Sequence, residues 1–280
     1  GHQKNIAEPA IIVMENSFHG RTLATLSATG NKKVQIGFEP LVQGFVRVPF
    51  DDITAIEQAI ANNPNIVAIL VEPIQGEGGI RVPKNGFTYL EELRVVCDKH
   101  DLLLMLDEIQ TGNGRTGKYF AYQHTTIKPD VVTTAKGLGN GFPIGACLVQ
   151  GKASHLFKAG NHGSTYGGTP LACRAALTVV QLLQQGAIEN AASMGAYMIQ
   201  GFKTKLEGLD VQVNGKGLMI GIQLPKPCAE LVAQARDEEK LLLNVTADSV
   251  IRLLPALVIT PKEADEIIER VSRLIHKFLS

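Results

Sequence analysis

Short, wholly apolar runs alternate with helical patterns through the first half of the chain. The runs lack the polar alternation of half-exposed strands, which is typical of strands covered on both faces. Between them, Asp52–Asn62 and Phe87–His100 carry apolar residues at helical spacing, which predicts amphipathic helices. This order of elements predicts a doubly wound α/β domain with a parallel sheet. The predicted strands are Ala10–Met14, Ile66–Val71, Leu102–Leu106, Val131–Ala135 and Ile144–Val149.

The pattern becomes mainly helical after Gly168, which indicates a second structural region. Its last element is a clearly marked helix, because Thr260-Pro261-Lys262-Glu263 is a capping box with proline at the first helical position. We expect a large domain over residues 1–168, and an interdomain helix with a smaller C-terminal α+β domain over residues 169–280. The other elements predicted there are helices at Pro170–Gln185 and Ile188–Leu206 and strands at Val211–Val213 and Leu218–Leu224.

Charge and composition exclude several classes of partner. The 280 residues include 27 Lys+Arg and 27 Asp+Glu, so no net charge draws the protein to nucleic acid or to an anionic membrane. No apolar run approaches the roughly 20 residues that span a bilayer, and the N-terminus lacks the apolar core of a signal peptide. The cysteines form no C-x-x-C pair, so we expect buried free thiols, no metal site and a cytoplasmic protein.

Polar residues that follow the apolar runs carry the candidate chemistry. Ligands of open α/β sheets bind beyond the carboxyl ends of the strands, so these positions are the first candidates for a site. Glu72 follows the second predicted strand, Asp107 the third and Lys136 the fourth. Two carboxylates and a lysine are therefore expected at one edge of the sheet.

Lys136 is the most informative of these residues, since it follows a buried run and precedes glycines at positions 137, 139 and 141. A lysine amine that is partly removed from water becomes a nucleophile that can form a Schiff base with an aldehyde cofactor. Pyridoxal phosphate is such a cofactor, and it also needs a carboxylate near its ring nitrogen, for which Asp107 is the candidate. From spacing alone, a surface lysine at 136 and a helix N-cap at 107 stay open.

A second motif, Gly112-Asn113-Gly114-Arg115-Thr116-Gly117, formally matches the G-x-G-x-x-G turn of dinucleotide-binding proteins. Its context argues against that interpretation, because Lys118–Thr126 is too short for the crossover helix that the motif requires. We therefore do not expect a nicotinamide cofactor.

Five short motifs occur in order along the chain, from near residue 10 onward. They are Ser17–Thr22, Glu72–Glu77, Leu106–Gly117, Thr134–Gly139 and His162–Leu171. Together they resemble the signatures of the class III pyridoxal-phosphate aminotransferases. The resemblance implies a fold type I transferase, with a mainly parallel sheet, flanking helices and a smaller C-terminal α+β domain, and it implies pyridoxal 5'-phosphate as cofactor.

The resemblance also assigns roles at the cofactor. Lys136 is expected to form the Schiff base, Asp107 to pair with the pyridinium nitrogen, and Gln110 to hydrogen-bond the phenolic oxygen. Phe18 is expected to stack on the ring. Lys136 and Asp107 are the expected catalytic residues.

A shared site between two subunits follows from the same resemblance. Ser164 and Thr165 are expected to reach the cofactor phosphate of the neighbouring subunit, which implies a homodimer. Family members begin with a further N-terminal region that holds another loop for this phosphate, and we expect the chain to lack it. A catalytically silent fragment is therefore one alternative to an active enzyme.

Arg21 and Arg252 resemble the family's ligands for substrate carboxylates, because a planar guanidinium can bind a carboxylate through two hydrogen bonds. Arg252 lies in the apolar segment Val250–Ile259, where an unpaired charge is costly, and Glu77 is its expected partner. When a substrate has no carboxylate beside its reacting amine, Glu77 is expected to neutralise Arg252.

The motifs are most similar to those of family members that act on N-acetylornithine. We therefore expect transamination between N-acetylornithine and 2-oxoglutarate, as in arginine biosynthesis, with small amino acids and 2-oxo acids as substrates. Enzymes that act on ornithine, succinylornithine or 4-aminobutyrate share almost all of these motifs, so these alternatives stay open.

Overall fold

The apolar runs of the first half form a six-stranded sheet in the computed structural model of the chain, which describes residues 1–280. Its strands are β1 (Ala10–Met14), β2 (Phe45–Val48), β3 (Ile66–Val71), β4 (Leu103–Asp107), β5 (Val131–Thr134) and β6 (Ala146–Val149). They lie in the order β2-β1-β3-β4-β5-β6, and the neighbours from β2 to β5 are parallel. The predicted α/β fold with a mainly parallel sheet is confirmed, whereas β6 pairs with β5 in the antiparallel direction.

Three helices lie along the chain between the parallel strands: α1 (Leu23–Ala28), α2 (Ile53–Asn62) and α3 (Thr88–Lys99). Helix α2 begins where the Asp52 side chain accepts a hydrogen bond from the Ala55 backbone N–H. Helix α3 buries Tyr89 and Leu93 completely, and these side chains belong to the same core as Ile12 of β1. Covering the strands with helices in this way explains why their sequences are apolar without alternation.

A second, antiparallel sheet forms in the last third of the chain. Its strands are β7 (Gln212–Lys216), β8 (Met219–Gln223), β9 (Asn244–Thr246) and β10 (Val250–Leu253), in the order β7-β8-β10-β9. The helices of this half are α4 (Pro170–Leu182), α5 (Ile188–Lys205), α6 (Leu231–Asp237) and α7 (Pro261–Leu279). The predicted capping box is present at α7, where Thr260 and Glu263 cap each other's backbone.

The chain divides into two compact units, each with its own apolar core. The first unit consists of Gly1–Gln75, Pro83–Gln110 and Tyr122–Val180, and the second of Gly76–Val82, Thr111–Ala121 and Gln181–Ser280. Two short internal segments thus belong with the C-terminal residues. The domain boundary predicted after residue 168 stays a prediction.

Close contacts at glycines hold Thr111–Ala121 within the second unit. A Cβ on Gly217, whose φ is 55°, would lie 2.5 Å from the carbonyl carbon of Thr116. A Cβ on Gly195 of α5 would lie 2.2 Å from the carbonyl carbon of Gly217. The backbones at Thr116, Gly195 and Gly217 therefore lie so close together that a side chain on either glycine would collide with its neighbour.

The G-x-G-x-x-G sequence lies in this internal segment and has no α-helix after it, because a short 3-10 turn, Ala121–His124, precedes β5. The dinucleotide-binding interpretation is therefore excluded by the local structure. Its Arg115 side chain instead donates hydrogen bonds to the carbonyl oxygens of Leu218 and Pro255, at 3.1 and 2.6 Å. Burial lowers the pKa of the Arg115 guanidinium to about 10.

The helical stretch Pro170–Lys205 is long and apolar enough, by length and composition, to pass as a membrane-crossing helix. The backbone leaves helical geometry at Gln185 and Gly186, where Gly186 has a φ of 108°, so the stretch consists of two shorter helices. In a bilayer, the backbone groups freed by such a break would have to be satisfied by other polar groups. One helix that passes this test by length and composition is weak evidence for a membrane span.

The four cysteines are all free, but only two of them are buried. Cys97 and Cys228 lie in the apolar cores, as predicted. The prediction is wrong for Cys147 and Cys173, which are exposed. These two lie on β6 and α4, whose outer faces this chain leaves uncovered.

Candidate active site

Residues that follow four adjacent strands lie together at the carboxyl edge of the first sheet. Phe18 and His19 follow β1, Glu72 follows β3, Asp107 ends β4 and Lys136 follows β5. Because these strands are parallel and neighbouring, their carboxyl ends share one edge. We call this group, together with Gln110, the strand-end cluster.

Asp107 is a buried carboxylate that receives three hydrogen bonds. Its Oδ2 accepts from Nδ1 of His19 at 2.8 Å, and its Oδ1 accepts from the Ile109 N–H at 3.1 Å and the Thr133 hydroxyl at 3.4 Å. Asp107 and His19 are each only 6% exposed. No α-helix begins after Asp107, so the helix N-cap alternative is excluded. A buried acceptor fixed in this way can hold a protonated ring nitrogen of a ligand.

His19 is buried and is fixed by hydrogen bonds of both its ring and its backbone. Its backbone N–H donates to Oγ1 of Thr29 at 3.0 Å, which fixes the residue from the other side. Its second ring nitrogen, Nε2, is buried without a hydrogen-bond partner. The imidazole is therefore oriented by its Nδ1 bond to Asp107.

Lys136 lies in a tight loop that ends β5. It has left-handed backbone geometry, with a φ of 44°, and its carbonyl oxygen accepts hydrogen bonds from Gly139 and Asn140. A Cβ on Gly139 would lie 1.9 Å from the carbonyl oxygen of Phe142, so the loop requires glycine there. Lys136 itself is exposed. The predicted partial desolvation of its amine is therefore not found in this chain.

Phe18 is held over the edge through its backbone and lies next to an arginine. Its N–H donates to Oε1 of Glu72 at 2.9 Å, and its ring is half-buried. The exposed guanidinium of Arg21 lies 5.6 Å from the centroid of this ring. The Oε1 atom of Gln110 is buried without a partner, so its terminal amide is available to a ligand.

Ser164 and Thr165 are exposed. Neither side chain forms a hydrogen bond with a residue of the strand-end cluster. The Ser164 hydroxyl accepts the Gly167 N–H at 2.9 Å, in a turn that precedes α4. Thr165 makes no side-chain hydrogen bond to Lys136, Asp107 or Gln110. Within one chain, the structure does not bring this pair to the predicted cofactor residues.

Glu77 and Arg252 form an ion pair inside the second unit. Nη1 of Arg252 lies 2.6 Å from Oε1 of Glu77. The arginine side chain is 11% exposed and the glutamate side chain 41% exposed. Nε of Arg252 is buried without a partner. The guanidinium therefore keeps a donor for an additional acceptor, such as a carboxylate ligand.

Two residues at this edge, His19 and Gln75, were not predicted as site residues. His19 appeared only as one letter of a motif, and its bond to Asp107 joins residues 88 positions apart in sequence. Gln75 is fully buried, and its Nε2 donates to the Glu15 carbonyl oxygen at 2.8 Å. The only available signal was that both residues lie in the segments that follow strands, five residues after β1 for His19 and four after β3 for Gln75.

Comparisons with known proteins show what the whole chain is similar to. A family model described as aminotransferase class-III matches residues 1–275. The chain is 54% identical to the acetylornithine aminotransferase of Nitrosomonas europaea, and the match covers 100% of this chain and 71% of the relative. It is 45% identical to acetylornithine aminotransferase 1 of Bordetella bronchiseptica, with the same coverage of both chains.

A solved structure of similar fold is the ornithine aminotransferase of Toxoplasma gondii, with a TM-score of 0.92 and 32% identity. The match covers 98% of this chain and 66% of that protein. That structure is described as having partial occupancy of PLP at its active site. The chain thus spans somewhat less than two thirds of the length of this solved structure.

The hydrogen bond between His19 and Asp107 yields a prediction about stability. His19→Leu leaves a buried carboxylate without one of its donors, which should lower the free energy of unfolding by about 1–3 kcal/mol. Asp107→Leu should also destabilise the fold, and the double variant should lose less than the sum. A double-mutant cycle measured by urea denaturation should give a coupling of about 1.5–3 kcal/mol.

The exposed pair of Lys277 and Glu238, with an N···O distance of 2.7 Å, is the matched control for this cycle. Its coupling should stay below about 1 kcal/mol, because both side chains are solvated. Equal couplings for the two pairs would show that the His19 bond is no stronger than a surface contact.

Proposed function

Since this chain belongs to the class-III aminotransferase family, a family of pyridoxal-phosphate enzymes, we propose that the protein transfers the terminal amine of N-acetylornithine to 2-oxoglutarate. The products are N-acetylglutamate semialdehyde and glutamate. The observation that carries this choice is the 54% identity to an acetylornithine aminotransferase over the whole chain. A role in arginine biosynthesis and a cytoplasmic location stay predictions.

Ornithine is the second candidate for the amine donor. The fold of this chain is closely similar to that of the Toxoplasma gondii ornithine aminotransferase. Ornithine differs from N-acetylornithine in having a free second amine, so the motifs that bind carboxylates do not separate the two. Direct comparison of the two substrates decides between them.

The strand-end cluster fits pyridoxal phosphate in its donors and acceptors. Asp107 offers a buried, hydrogen-bonded carboxylate for a ring N–H, and Gln110 has a terminal amide with no partner for its oxygen. Phe18 offers a half-buried aromatic face. When bound, pyridoxal phosphate supplies an aldehyde for amines and a ring that withdraws electrons from the reacting carbon.

We assign the following actions to the residues of this cluster. The Nζ of Lys136 would hold the cofactor through its aldehyde group and, when free of it, would move the proton at the substrate carbon that bears the reacting amine. Asp107 would accept a hydrogen bond from the protonated ring nitrogen, and His19 holds the Asp107 carboxylate in place. Phe18 orients the ring by stacking, and Gln110 hydrogen-bonds the phenolic oxygen.

Arg252 and Glu77 adapt the protein to two kinds of substrate in this proposal. Glutamate has a carboxylate beside its reacting amine, whereas N-acetylornithine has its carboxylate at the far end. Arg252 binds the near carboxylate, and Glu77 neutralises Arg252 when that carboxylate is missing. Arg21 binds the far carboxylate in both cases. The ion pair, with an N···O distance of 2.6 Å, supports the state in which Glu77 neutralises Arg252.

A homodimer with shared active sites forms part of the proposal. Eight large apolar side chains between residues 142 and 177 are exposed, including Phe157 and Tyr166. Exposed apolar surface of this extent is typical of a protein contact. Thr165 lies in the same stretch, which supports its assignment to the phosphate site of a second subunit together with Ser164.

The assignment of Lys136 predicts a specific covalent label. Borohydride reduction of the cofactor-loaded protein should leave a phosphopyridoxyl group on Lys136, identified by peptide mass spectrometry. Lys136→Ala should lower turnover at least about 1,000-fold, because the nucleophile and proton carrier is lost. Lys128→Ala changes an exposed lysine elsewhere in the first unit and should leave turnover unchanged. Labelling of another lysine would contradict the assignment.

The Glu77 assignment predicts opposite effects on the two half-reactions. Glu77→Ala should slow the half-reaction with N-acetylornithine about tenfold and leave that with glutamate equal or faster. Arg252→Ala should do the reverse, while Arg21→Ala should slow both. Single-turnover kinetics with each amine donor, ornithine included, measures these effects.

Glu266→Ala is the control, since it removes an exposed carboxylate paired with Arg270 in the second unit. It should leave both half-reactions unchanged. Equal losses on both substrates in Glu77→Ala would show that Glu77 has a structural role and does not discriminate between them. Faster wild-type turnover of ornithine than of N-acetylornithine would favour the second candidate.

The shared-site assignment predicts complementation between two inactive variants. Lys136→Ala lacks the nucleophile, and Thr165→Glu places a negative charge where the phosphate is expected. Mixed dimers would contain one intact site, so denaturing and refolding the two together should restore about a quarter of wild-type activity. No recovery in dimers confirmed by analytical ultracentrifugation would show that Thr165 does not act across the subunits.

A further inference from the structure

The loop that carries Glu77 belongs to the second unit. Residues Gly76–Val82, called the Glu77 loop below, follow β3 in sequence but are grouped with the C-terminal residues. Its partner Arg252 lies on β10 of the same unit. The geometry of the ion pair is therefore set by contacts inside one compact unit.

Thr246 ties the backbone of this loop to the sheet. Its hydroxyl donates to the carbonyl oxygen of Glu77 at 2.5 Å. Thr246 is buried, lies on β9, and pairs in register with Val250, two residues before Arg252. The same pair of strands thus carries the arginine and the hydroxyl that fixes the backbone of its partner.

The rest of the loop has little room to move against this sheet. Gly79 has a φ of 106°, and a Cβ there would lie 3.2 Å from Val250 and 3.3 Å from Ala247. Ile80 is fully buried, and a Cβ on Gly221 would lie 2.7 Å from the Cβ of Ile80. Gly221 is also the residue that pairs with Arg252 across β8 and β10. The loop backbone is therefore packed, whereas the Glu77 side chain is 41% exposed.

We propose that Thr246 is a positioning residue that sets the substrate preference of Arg252 by holding the backbone of Glu77. With the backbone fixed, the Glu77 carboxylate reaches Arg252 or leaves it by rotation of its own side chain alone. A displaced backbone would put the carboxylate out of reach and leave Arg252 permanently open to substrate carboxylates. This inference rests on the proposed function of the Glu77–Arg252 pair.

Thr246→Val removes the hydroxyl at nearly constant volume and provides the test. In single-turnover experiments on the cofactor-loaded protein, the rate ratio of N-acetylornithine to glutamate should fall about threefold to tenfold. Thr246→Ser keeps the hydroxyl and should restore the ratio. Ser193→Ala is the matched control, because it removes a hydroxyl that donates to the carbonyl oxygen of Glu189 on α5 of the same unit. It should leave the ratio unchanged.

Hydrogen–deuterium exchange provides a readout that does not depend on activity. The amides of residues 76–82 should exchange faster in Thr246→Val than in the wild type, and at the wild-type rate in Thr246→Ser. If Thr246→Val fails to fold, Gly221→Ala also tests whether displacing the Glu77 loop changes the substrate preference. Its added methyl group crowds Ile80, and the same fall in the ratio is expected.

The outcomes separate this inference from the proposed function. Faster exchange with an unchanged ratio would overturn the positioning role, and unchanged exchange would overturn the role of the hydrogen bond. Failure of the wild type to use N-acetylornithine would contradict the proposed substrate. The ratio is then measured with ornithine, whose terminal amine also has no carboxylate beside it, so the test of Thr246 remains decisive.

Discussion

A carboxylate removed from water has to receive hydrogen bonds from the protein, and this requirement at Asp107 organises the first unit. His19 supplies one donor from the end of β1, which is separated from β4 by β3 in the sheet. The ends of these three strands must therefore lie close together. The backbone N–H of Phe18 donates a hydrogen bond to Glu72, which follows the intervening β3, and so links the same strand ends. The candidate active site is thus a direct result of satisfying one buried charge.

Much of the first sheet could be predicted, because strands buried on both faces have no polar alternation. Ala10–Met14 and Ile66–Val71 were predicted with the bounds that the structure has. Strand β2 was missed because its burial is partial and Arg47 interrupts its apolar residues. The direction of β6 could not be predicted either, since an apolar run has the same composition in a parallel and an antiparallel pair.

The candidate site could be predicted only where its chemistry is local in sequence. Lys136 and Asp107 stand out because each ends or follows an apolar run. The Glu77–Arg252 ion pair is present. The apolar segment around Arg252 indicated only that the arginine needs a partner, and the choice of Glu77 came from the resemblance to the family. By contrast, the bonds of His19 and Thr246 join residues 88 and 169 positions apart, and no local pattern marks them. Exposure of Lys136 likewise depends on what surrounds the sheet edge.

The grouping of Gly76–Val82 and Thr111–Ala121 with the C-terminal residues has a consequence for how this protein is made. The chain passes from one unit to the other five times. During synthesis, the two internal segments leave the ribosome long before the strands and helices against which they pack. The second unit consequently has many contacts between distant parts of the sequence, and topologies of this kind fold slowly. Its folding can be completed only late in translation, so the two segments stay exposed until residues 181–280 have been synthesised.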